Sequence, residues 1–173
     1  DPADPRRWRG RQLVTGEQVP WPPKEPPPLG CKPKEKMTAA ALVDILRFTG
    51  TPGTLSTPST QEAAVFQLRS EMPPAIGCVY WRSTAEPSIS VLTPWYVGIS
   101  QTPDNYFRPV DVPTQLRLDH HFEPPQGTFD TNPESAWWKF KTLQDIVRKD
   151  YQQRSQIVQP VWATSERAAF AGQ

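Results

Sequence analysis

The sequence predicts an α+β fold in which one face of an antiparallel sheet carries a layer of helices. Three observations predict it. Residues 61–69, with Ala63, Val65, Phe66 and Leu68, and residues 76–83, with Val79, Tyr80 and Trp81, both favour the extended state. The break between them at Met72-Pro73-Pro74 is short enough for an antiparallel hairpin. Helical spacing flanks the pair on both sides, over 38–48 and from Pro133 onward.

Taken in order, residues 1–36 read as a proline-rich, extended surface segment. Pro20, Pro22, Pro23, Pro26, Pro27, Pro28 and Pro33 lack an amide donor and fix φ, which argues against both helix and central strand. Trp8, Leu13, Val14, Val19 and Trp21 are too apolar for a free linker and are expected to pin the segment to a body. The alternative for 21–28 is a polyproline ligand for another domain. Residues 37–173 form the α+β body. Thr38 is placed to cap a helix with Ala39, Leu42, Val43, Ile45 and Leu46 on its apolar stripe, and Gly50 to end it. Residues 88–92 give a third short strand, stopped before Pro94. Residues 100–131 form a long loop broken by Pro103, Pro109, Pro113, Pro124, Pro125 and Gly127, a length often tied to function. The tail is helical from Pro133, capped by Thr131 or Asn132, with Trp137, Phe140, Leu143 or Gln144, and Val147 recurring. Pro160 is expected to kink or divide it. Adjacent helical residues point about 100° apart, so Trp137 and Trp138 do not both face the core.

Composition narrows the function classes. The net charge of +1, from 19 basic and 18 acidic residues, gives no electrostatic case for nucleic acid or an anionic membrane. No run approaches the roughly 20 apolar residues that span a bilayer. Asp1-Pro2-Ala3-Asp4-Pro5-Arg6-Arg7 shows no signal-peptide character. The apolar fraction of 36% is low for a self-sufficient domain. Cys31 and Cys78 do not make a disulfide framework and read as reduced thiols.

Few residues carry candidate chemistry. His120 and His121, beside Asp119, point to opposite sides of an extended chain and have no partner cluster, so no metal site is expected. No phosphate-cradling glycine loop is present, and no cofactor is expected. Cys78 reads as a small buried side chain in a strand. Cys31 lies among Lys32, Lys34 and Lys36, which read as a solvated basic turn with the capacity to lower a thiol pKa. The aromatic residues Trp81, Trp95 and Tyr96 surround the strands, and Arg82 is a cation inside a strong strand pattern. A substrate cleft built from Arg82, Trp95 and Tyr96 is the candidate site, with Arg82 meeting a substrate carboxylate. The competing role for Arg82 is a structural ion pair with a residue such as Glu86.

The run from Thr57-Pro58-Ser59-Thr60 to Gln67-Leu68-Arg69, then Ile76-Gly77-Cys78-Val79-Tyr80-Trp81-Arg82, then Pro94-Trp95-Tyr96-Val97-Gly98-Ile99 with Thr102-Pro103 and Tyr106, leads to the helix at Asn132-Pro133-Glu134-Ser135-Ala136-Trp137-Trp138. In order and spacing, over roughly residues 32–171, this resembles the C-terminal half of the C69 family of cysteine dipeptidases, which includes the secernins. The resemblance implies the N-terminal nucleophile hydrolase fold, two antiparallel sheets between helix layers, of which this chain supplies the C-terminal part. It implies hydrolysis of dipeptides or short peptides by a cysteine at a new N-terminus, its own α-amine serving as base. Relatives by fold cleave amide bonds in penicillin V and bile salts. Asp1 is not the Cys, Ser or Thr that this chemistry needs, so no catalytic residue is carried over. The expected partners are a nucleophile-bearing N-terminal half or chain and a peptide substrate, and this chain alone is expected to be inactive. Two other readings remain open: a non-catalytic binding or scaffold module on the same fold, and an amide hydrolase acting on a non-peptide substrate.

Overall fold

The protein is described from a computed structural model, which covers residues 4–25, 28, 30–106 and 130–172. His120, His121 and Asp119 lie outside the described residues, as does most of the loop expected over 100–131.

The sheet has three antiparallel strands in the order β1-β2-β3: β1 is Glu62–Leu68, β2 is Cys78–Thr84 and β3 is Leu92–Tyr96. The hairpin register sets Ala64 opposite Arg82 and Phe66 opposite Tyr80. Strand alternation then sends Ala63, Val65, Val79, Trp81, Leu92 and Tyr96 to one face. That face is the core. Val43, Val65, Val79, Trp81 and Leu92 form one buried cluster, against which Ala39, Leu42, Leu46, Tyr96, Ala169 and Phe170 pack. The Trp81 ring is fully buried and lies 4.2 Å from that of Phe170. Two helices supply this cover: α2, Ala39–Leu46, and the end of α5, Tyr151–Ala171. Thr38 caps α2 by accepting from the Ala41 amide at 3.1 Å, which fixes where its apolar stripe begins.

Several expectations are corrected. Residues 1–36 are not wholly extended, because α1 occupies Pro5–Thr15. Pro5 sits in the first turn, where its missing amide is harmless; Asp4 accepts from the Arg6 amide at 2.9 Å; and Gly16, at φ 72°, closes the helix in the left-handed region. The prolines that forbid helix start only at Pro20. Trp8 is buried, donates through Nε1 to the Val19 carbonyl at 3.0 Å and meets the Trp21 ring at 5.2 Å, contacts within the segment itself, while Arg9 reaches the body by donating to the Pro52 carbonyl at 3.1 Å. Arg9 stacks on both Trp8 and Phe48.

Gly50 does not cap α2, which ends at Arg47. Ile76 and Gly77 belong not to β2 but to a short helical turn, α3, Pro74–Gly77. The third strand is not 88–92. Residues 88–91 fold into a buried turn, and β3 runs through Pro94, opposite Trp81. Pro94 is tolerated because β3 has no further strand beside it among the described residues. At the tail, Asn132 accepts from the Glu134 amide at 3.1 Å, which makes Pro133-Glu134 a turn. Helix α4, Ala136–Arg148, follows with Ser135 at its cap. The helical tail divides at Lys149-Asp150, not at Pro160. Asp150 accepts from the Gln153 amide at 3.3 Å and starts α5, which passes through Pro160 unbroken. Gln159 and Trp162 donate to the Ser88 and Ile89 carbonyls and hold α5 on both sides of the proline.

Candidate functional site on the open sheet face

Among the described residues the second sheet face is exposed at one end, at Phe66, Leu68 and Val97, and buried at the other, at Thr84. Its side chains fall into rows across the strands, because the register aligns every second residue. The first row is Glu62 and Thr84. The second is Ala64, Arg82 and Thr93. The third is Phe66, Tyr80 and Trp95. The fourth is Leu68, Cys78 and Val97, where the Val97 amide continues the ladder with a 3.1 Å bond to the Cys78 carbonyl. Polar groups occupy one end of the face, aromatics the middle and aliphatics the other end.

The aliphatic end is bare: Phe66 is 71% exposed, Leu68 75% and Val97 68%. In the aromatic row Phe66 and Tyr80 stack with ring centroids 5.0 Å apart. Trp95 donates through Nε1 to Thr93 Oγ1 at 2.9 Å and meets Tyr106 edge-on at 4.9 Å. At the polar end Arg82 Nη2 lies 3.0 Å from Glu62 Oε2, while the Tyr80 hydroxyl donates to Glu62 Oε1. Arg82 Nε is hidden from solvent and has no hydrogen-bond partner. Ala64, the small residue of the second row, stands opposite Arg82. Burial raises the Tyr80 pKa above its ordinary value, the bond to Glu62 and the Glu62 charge raise it further, and Arg82 opposes them.

Of the expected cleft residues, the fold brings Arg82 and Trp95 to this face and sends Tyr96 to the other, against the core. The partner of Arg82 is Glu62 and not Glu86. Glu86 is fully buried and receives both Nε and Nη2 of Arg148. Sequence reasoning missed Glu62, Ala64 and Tyr80. The signal was in the hairpin register, which places Glu62 diagonal to Arg82 on the neighbouring strand.

A family model for peptidase family C69 matches residues 47–164, which span the whole sheet, the α4 helix and most of α5. The chain belongs to peptidase family C69. No curated protein matches it. Membership in C69 gives the class of chemistry: hydrolysis of peptide bonds. The open face lies entirely within the matched stretch. The groove of about 450 Å³ lined by Leu13, Val14, Lys34, Lys36, Ala41 and Asp44 lies outside it.

The two thiols of this C69 chain are free and sit in different settings. Cys31 is exposed in the proline-rich segment, and Cys78 is half-buried in the aliphatic row. Among the described residues no three of His, Cys, Asp and Glu gather as a metal site would require, and no helix is long and apolar enough to cross a membrane. Trp137 and Trp138 pack edge-on against each other at 4.8 Å, both half-buried, at the start of α4.

Proposed function

We propose that this chain is the C-terminal part of a secernin-like cysteine dipeptidase, its open sheet face covered by a second sheet that belongs to a nucleophile-bearing N-terminal half. The observation that carries the reading is the uncovered apolar end of the face, Phe66, Leu68 and Val97, inside the stretch that matches the peptidase family. An antiparallel sheet with helices on one side and bare aromatic and aliphatic side chains on the other is one half of a layered core. In this reading the rows divide the work. The aliphatic row packs on the second sheet, and the polar row with Arg82 and Trp95 lines the substrate cleft.

The mechanism follows cysteine-nucleophile chemistry. A thiolate attacks the peptide carbonyl, an acyl-enzyme forms as the amine leaves, and water releases the acid. Neither Cys31 nor Cys78 has a base beside it in sequence, so in this reading the attacking thiol comes from the other half, at an N-terminus where the α-amine takes its proton. The test is dipeptide hydrolysis by the 173-residue chain alone and by the longer polypeptide encoded with it. The chain alone should show no turnover. The longer polypeptide should turn dipeptides over, and an alanine at its N-terminal cysteine should abolish this. Cys78→Ala should leave turnover within about threefold, because a buried thiol in this row acts as a small apolar side chain. Turnover by the chain alone that is lost in Cys78→Ala or Cys31→Ala would overturn the reading.

A further inference from the structure

Two of the arginines that fasten this molecule together hold buried carboxylates. Arg47 donates to the Pro87 and Ser90 carbonyls at 3.0 and 2.8 Å and to both oxygens of Glu166, a carboxylate only 5% exposed. Arg148 gives Nε and Nη2 to fully buried Glu86. Arg82 differs. Its contact is with Glu62, whose side chain is 39% exposed, its own side chain is 33% exposed, and its Nε has no acceptor. An ion pair this exposed holds weakly and exchanges readily. Beside it the register sets the small Ala64 and, one row further, the aromatic rings of Tyr80 and Trp95. A planar guanidinium with an unused donor next to an aromatic shelf fits a carboxylate joined to an apolar side chain.

Resting on the dipeptidase reading, we infer that Arg82 is the specificity-determining residue that takes the free C-terminal carboxylate of the dipeptide, and that Glu62 occupies its guanidinium as an intramolecular stand-in until substrate displaces it. The C-terminal side chain then lies on Tyr80 and Trp95. Peptides whose C-terminus is blocked gain nothing from Arg82, which makes the site a ruler for short, free-ended substrates.

The experiment compares alanyl-leucine with alanyl-leucinamide as substrates of the dipeptide-hydrolysing polypeptide that contains this chain. Wild type should prefer the free acid. Arg82→Gln should lower kcat/KM for alanyl-leucine about ten- to a hundredfold, mainly through KM, and leave the amide within about twofold. Glu62→Gln should act in the opposite sense and lower KM for the free acid about two- to fivefold, because the competitor is gone. A merely structural pair would predict loss in both variants and equal effects on both substrates, and that result overturns the inference. Should Arg82→Gln fail to fold, the Glu62→Gln result decides alone: a KM for alanyl-leucine that is unchanged or raised rejects the stand-in role. No dipeptide turnover by wild type would instead overturn the dipeptidase reading, and the carboxylate assignment with it.

Discussion

Tyr80 donates its hydroxyl proton to Glu62 on a face where Arg82 is the nearby cation. Burial, then the bond to Glu62 and the Glu62 charge, raise its pKa above 10.0. The folded chain therefore prefers the neutral phenol more than the unfolded chain does. That preference is fully present below pH 10 and is lost as pH rises through the raised folded value. A tyrosinate absorbance titration of wild type minus Tyr80→Phe should show one phenol ionising above the ordinary range. Glu62→Gln should bring it down. A difference curve that Glu62→Gln does not move would disprove the coupling. Arg82 was legible in the sequence as a cation inside a strand. Its partner was not, because Glu86 is the nearer acid along the chain, whereas Glu62 becomes a neighbour only once the hairpin register is set. Tyr96 was placed with Trp95 because the two are adjacent, but strand alternation separates adjacent residues to opposite faces.

The turn between β2 and β3 joins more of the molecule than its length suggests. Ala85 takes φ 64°, and the Ile89 and Ser90 amides both return to the Glu86 carbonyl. The buried Glu86 side chain receives Arg148 from α4 and the Ser88 hydroxyl. The Arg47 side chain, just past α2, reaches the Pro87 carbonyl, and α5 reaches the turn through Gln159 and Trp162. Three helices are thus referenced to one buried turn. Arg148→Ala leaves the Glu86 carboxylate buried with its main partner gone and should destabilise the protein by about 3–5 kcal/mol. Adding Glu86→Gln should recover part of that loss, because no charge then stays buried. Urea unfolding of the two variants checks this, and equal midpoints would refute it. The element types were legible where period and capping agreed, as in β1, β2 and the Thr38-capped α2. The turn was read as a strand because its Ile89 and Val91 suit one, while the deciding facts, the Glu86–Arg148 pair and the positive φ at Ala85, are tertiary. Pro160 was read as a break for the same reason. Its local cost is real, but contacts on both sides of it hold α5.

At the scale of the whole molecule one sheet face is filled and, among the described residues, one end of the other is exposed. The filled face buries Trp81 completely and Val43, Val79 and Leu92 to 1% exposure, and a Trp81→Ala change should cost about 3–5 kcal/mol. The exposed end puts Phe66, Leu68 and Val97 in water, with Ile76 and Ile99 exposed at the same end of the hairpin. The composition gave no hint of where exposed apolar residues would fall; the register shows that Phe66, Leu68 and Val97 share one face. A double substitution, Phe66→Ser with Leu68→Ser, separates the two possible fates of that face. In the chain alone both side chains are already solvated, so their loss should change folding stability little while reducing self-association and the binding of an apolar dye. In the proposed assembly with a second half the same side chains would be covered, and each buried Phe or Leu contributes about 1.5–3 kcal/mol. The variant should there lose about 3–6 kcal/mol, read as a fall in unfolding midpoint or as separation of the two halves. The two effects have opposite practical signs, a better-behaved chain alone and a weaker proposed assembly. A wild-type chain that is a monodisperse monomer with no dye binding, together with a double variant that is neutral in the assembled protein, would show that this face has no partner sheet.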